Sequence, residues 1–120
     1  MADVQELLAK AQALGEALAA HPTVKAHYAA QQAVRADAAA QKLLSDYQTQ
    51  LTRLRQLEAE LKPIEVDDKQ KIKSLEAQMA GQASLKTLMR TQADYVALMS
   101  QVNNAIDSPL ADLAQPERPA

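Results

Sequence analysis

Between Pro22 and Pro63 the chain contains neither a glycine nor a proline. An alanine- and leucine-rich stretch with nothing to break it reads as one continuous helix, from about residue 22 to residue 62. At ~1.5 Å per residue, about 39 residues make a rod of roughly 58 Å, long for a small domain. Shorter helices folded back on such a rod would leave part of its apolar stripe uncovered, which points to association between copies. The residues that favour strands are scarce and nowhere alternate with polar ones. The fold class expected is therefore all-α: a four-helix, antiparallel, bundle-like domain with one long helix, self-associating.

The other three helices are shorter. Asp3 stands where an N-cap would, with Glu6 completing a capping box, and Val4, Leu7, Leu8, Ala11, Leu14 and Leu18 form one stripe over residues 3–20. His21-Pro22 then ends this helix and starts the next, because the residue before proline avoids the α region while proline suits a first turn. After the connector Pro63-Ile64-Glu65, Asp67 with Gln70 marks a third helix over 67–80, closed by Gly81. The fourth covers 84–106, where Leu85, Leu88, Gln92, Tyr95, Met99, Val102 and Ile106 recur in steps of three and four. Asp107-Ser108-Pro109 ends it. The domain expected is 1–107, followed by a flexible, proline-containing tail over 108–120.

Three tyrosines are the whole aromatic supply, so a core built from this chain alone is thin. Tyr28, Tyr47 and Tyr95 each lie on an apolar stripe and read as core residues. With no cysteine, disulfides, thiol catalysis and cysteine-held metal centres are excluded. A net charge of −2 with both signs scattered gives little pull towards nucleic acid or anionic membrane. No apolar run approaches the roughly 20 residues that span a bilayer, and no basic-then-apolar leader opens the sequence, so the expected location is the cytoplasm.

Candidate chemistry is sparse. His21 and His27 lie on either side of a helix break, and a metal site needs three or four ligands. They read as a turn residue and a surface residue. Asp67-Asp68 and Glu58 with Glu60 have no nucleophile or cofactor motif beside them and read as a cap and a solvated face. Arg53, Arg55, Lys62, Lys69, Lys71 and Lys73 are interleaved with acids and have no stacking platform, which argues against direct RNA binding. No enzyme activity, cofactor or metal is expected. Gln92 is either a register-setting polar residue in a seam, or the helix is turned so that Met89 and Val96 face inward.

Three segments carry a family resemblance: VQELLAKAQALGEALAAHPTVKAHYAAQQAV (4–34), RADAAAQKLLSDYQTQLTRLRQLE (35–58) and ASLKTLMRTQADYVALMSQVNNAI (83–106). In this order they resemble the YlbF/YmcA family of small bacterial helical proteins, YheA-like members included. The resembling features are the His21-Pro22 pair, Tyr28, the run from Asp37 to Tyr47 and the last helix from Leu85 to Ile106. The resemblance implies a helical bundle that forms dimers or higher oligomers, and a regulatory or adaptor role. Some members form a complex that tunes mRNA processing by RNase Y. Those with C-terminal cysteines are tied to an iron–sulfur cluster, a feature a chain without cysteine does not share.

The function expected is thus a non-catalytic adaptor. Its partners are a homodimer or higher homo-oligomer, related family proteins and RNA-processing components. The expected oligomer interface is the second half of the long helix: Tyr47, Leu51, Leu54 and Leu61. The alternative is a prefoldin-like coiled-coil chaperone or structural scaffold, motivated by the two arms either side of Pro63.

Overall fold

The computed structural model describes residues 3–114. They form five helices and, among the described residues, no strand: α1 (Val4–Ala20), α2 (Pro22–Ala36), α3 (Ala38–Ala59), α4 (Val66–Gly81) and α5 (Ala83–Ala114). The all-α expectation holds, with five helices rather than four.

The long helix expected over 22–62 is two helices, divided at Asp37. This residue leaves the helical region (φ −97°, ψ 102°), and its Oδ1 accepts from the Ala40 N–H at 3.1 Å. An aspartate can serve the bare donors of a new helix start, and here that outweighs the helix propensity of the alanines around it. The Gln41 Nε2 donates 3.0 Å to the Val34 carbonyl, tying the last turn of α2 to the first of α3. At the far end α3 stops at Ala59 and the chain turns through Leu61, whose φ of 56° lies in the left-handed region.

Three other boundaries differ from expectation. Glu65, not Asp67, precedes α4 and makes no side-chain cap, while Asp67 and Asp68 sit in the first turn, where carboxylates oppose the helix dipole favourably. Gly81 is the last residue of α4 without a positive φ; Gln82 is the cap. The last helix does not stop at Ile106. It runs to Ala114 through Pro109. That proline removes the donor for the Ala105 carbonyl, an exposed group that water can serve. The expected tail therefore begins as helix over 108–114, and residues 115–120 lie outside the described residues.

The helices fall into two compact units. One takes in the described residues up to His27 and from Thr91 onward. Val24, His27 and Thr91 are buried in it, and the His27 ring stacks on Tyr95, with centroids 4.4 Å apart and planes 12° from parallel. His27 is thus a packed residue rather than the surface one expected. Tyr28, read as core, is half exposed. On α5, Gln92, Met89 and Val96 are all exposed while Thr91 is buried, so Met89 and Val96 do not face inward.

The other unit spans Tyr28–Arg90. Here α3 and α4 lie antiparallel: Gln50 meets Asp68, while Leu43 and Leu44 share a cluster with Met79. That cluster is centred on buried Val34, Ala40 and Leu85, with Leu88 also against it.

Candidate interaction surface

Single residues with side chains that serve both neighbours position the helices. His21 donates its N–H to the Leu18 carbonyl at the end of α1, and its Nδ1 accepts from the Thr23 N–H at 3.1 Å to start α2. Asp37 does more. Besides capping α3, its Oδ2 accepts from Gln82 Nε2 at 2.6 Å and lies 2.9 Å from Ser84 Oγ. Gln82 in turn caps α5, its Oε1 accepting from the Leu85 N–H at 3.0 Å and lying 2.7 Å from Ser84 Oγ. The start of α3 and the start of α5 are therefore one hydrogen-bonded joint beside the apolar cluster.

A second polar lock closes the α3–α4 pair. Buried Gln50 donates its Nε2 to the Asp68 carbonyl at 3.1 Å and to Asp68 Oδ1 at 3.3 Å, and Arg53 Nε reaches the same Oδ1 at 2.8 Å. Asp68 Oδ2 is buried with no hydrogen-bond partner. The Arg53 hydrogen bond, with help from Gln50 and the guanidinium charge, holds the Asp68 carboxyl below its usual range despite burial. Asp37 is also held low, by Gln82 first, then the Ala40 N–H and Ser84.

Both carboxylates therefore bind protons less readily folded than unfolded. Their contribution is complete above the ordinary carboxylate pKa of about 3.9 and is lost as pH falls through the lowered folded values. The expected result is a urea midpoint that drops as pH is taken from 6 to 3, and drops less steeply in Asp37→Asn. Parallel pH profiles for the two proteins would rule out this account of Asp37.

The residues expected at the interface are split. Gln50 faces α4, and at 100° per residue Leu54 lies within roughly 40° of it, so Leu54 belongs largely to the hairpin. Tyr47 and Leu51 lie further round and are partly buried. Tyr47 lines a shallow groove of about 290 Å³ with Glu76, Met79, Ala80 and Met89. Leu61 lies beyond the helix end and is 93% exposed.

The most open apolar surface is elsewhere. α1 buries no residue at all, and its Val4, Leu7, Leu8 and Leu14 are exposed. The sequence displays this stripe plainly, and only the structure shows that none of it is buried among the described residues, Leu18 alone being half-buried. On α5, Ile106, Leu110 and Leu113 make a second exposed face at steps of four and three. Exposed large hydrophobic residues outnumber buried ones among the described residues, and patches of this kind mark interaction sites.

No group of three or more His, Cys, Asp or Glu among the described residues is placed to hold a metal. Arg53 is paired with Asp68, and Lys62 with Glu60 at 3.0 Å. No described helix is long and apolar enough to cross a membrane.

A protein of the UPF0342 group from Desulfitobacterium hafniense (strain Y51) is 22% identical over 107 residues, which is 89% of this chain and 82% of that one. The family model described as control of competence regulator ComK, YlbF/YmcA, matches residues 7–111. That span takes in parts of all five helices, from the first turns of α1 to near the end of α5, and the chain belongs to the YlbF/YmcA family.

Proposed function

We propose that this protein is a non-catalytic regulatory adaptor, acting by binding other proteins, copies of itself included. The observation that carries the reading is α1, a 17-residue amphipathic helix with an intact apolar stripe and no buried residue. Fully burying a leucine or valine is worth about 1.5–3 kcal/mol, so a helix that leaves four of them exposed holds part of its burial energy in reserve for a partner. The residues expected at the interface from sequence, Leu61 apart, already spend part of their surface inside the chain, which makes α1 the stronger surface.

Membership of a family described by its control of competence regulator ComK supports a regulatory role for the adaptor. RNA-processing components and related family proteins are the partner class we assign. Affinity capture of the tagged protein from its native cells, beside a Leu7→Glu/Leu14→Glu variant, tests this. The expected result is a defined set of such proteins with the wild type, depleted with the variant. Equal recovery by both forms would take α1 out of the function, and recovery of no partner protein would remove the adaptor role.

A further inference from the structure

We propose that α1 pairs antiparallel with α1 of a second copy of this chain, the two-fold axis passing beside Ala11. The proposal rests on the reading of α1 as the docking surface and adds its occupant.

The symmetry is in the spacing. Val4, Leu8, Ala11, Leu14 and Leu18 are separated by four, three, three and four residues, so the stripe reads the same in both directions about Ala11. At 100° per residue every one of them, with Leu7, lies within roughly 60° of Ala11. A surface that maps onto itself under reversal is what a two-fold contact requires. Val4 then shares a layer with Leu18 of the other copy, Leu8 with Leu14, and Ala11 with Ala11.

The one stripe position outside that pattern is Leu7, and its counterpart under the same reversal is Gly15. Gly15 has open space where a Cβ would stand, with no atom within 4 Å. The large side chain of one copy therefore shares a layer with the missing side chain of the other, and a glycine that weakens a lone helix acquires a packing role. A parallel pair would instead set Gly15 against Gly15 and leave a gap, and would bring the acidic first turns, with Asp3 and Glu6, together at one end. The antiparallel pair also opposes the helix dipoles. Glu6 and Glu16 lie roughly 140° from the seam and do not meet across it. Because the seam is apolar, added salt is not expected to weaken it.

The absence of cysteine makes the test clean. Ala11→Cys and Ala13→Cys each carry one thiol, the first on the seam and the second on the opposite face of α1. Under mild oxidation Ala11→Cys is expected to form a disulfide dimer at least about tenfold faster, because the bond needs Cα atoms within roughly 7 Å. Sedimentation of the unmodified protein is expected to show a dimer that Leu14→Glu converts to monomer with helicity retained, while Leu110→Glu on α5 leaves it intact.

A monomer at all concentrations would overturn the pairing. So would a dimer with equal cross-linking from the two cysteines, or one dissociated by Leu110→Glu rather than Leu14→Glu. If the pairing fails but native-cell capture still depends on Leu7 and Leu14, α1 docks a different protein and the adaptor reading stands. If both fail, that reading falls with it.

Discussion

Leu85→Ala is expected to destabilise the unit that contains α3 and α4 by about 2–5 kcal/mol, the usual loss when a buried leucine is cut back in a core that cannot collapse around the gap. Leu85 is 4% exposed and packs with Val34, Ala40, Leu43, Leu44, Met79 and Leu88. Few other side chains share the load, since Val24, Ala30 and Leu75 complete the buried hydrophobic residues among those described. Domains of this size are stable by only about 0.05–0.15 kcal/mol per residue, so the loss is a large part of the whole. Urea unfolding followed by circular dichroism measures it. A shift under about 1 kcal/mol would mean that the cluster is not the core, a size at which surface changes also fall.

Asp37→Ala is expected to lower the melting temperature by several degrees while leaving helical content unchanged or higher. The substitution removes the acceptor that caps α3 and the one that holds Gln82 and Ser84. It also leaves the run from Ala36 to Ala40 wholly alanine, a sequence that favours one continuous helix through the joint. Stability and helicity should therefore part company. A double-mutant cycle with Gln82→Ala tests the coupling, which ought to be non-additive because the two side chains are bonded to one another. Additive losses would show that the joint is two independent caps.

Asp37 also shows where reading the sequence succeeds and fails. The all-helical class, the Asp3 cap and the His21 break are local, fixed by residues within a turn of one another, and were legible. The break at Asp37 was not. The chain around it contains no glycine or proline, and the side chains that hold Asp37 in place, Gln82 and Ser84, come from far along the sequence. Asp68 was hidden for the same reason: nothing near it announces Arg53 and Gln50.

On α5 the pattern of threes and fours was sound, but a straight helix of 3.6 residues per turn drifts from a strict heptad, and Thr91 rather than Gln92 turned inward. The α1 stripe was fully legible as a stripe. Its lack of cover was not, because that is a property of what the rest of the chain fails to reach.

Three of the four connections between the described helices are one residue long: His21, Asp37 and Gln82. Only residues 60–65 give a longer link. One residue inserted at a single-residue joint would turn everything after it by about 100° and slide it by ~1.5 Å, which carries an apolar face away from its neighbour. Length variation among relatives with this architecture therefore belongs in the 60–65 segment and at the two ends of the chain. The same places are where a tag, a fluorophore or a protease site can be built in without disturbing the helices.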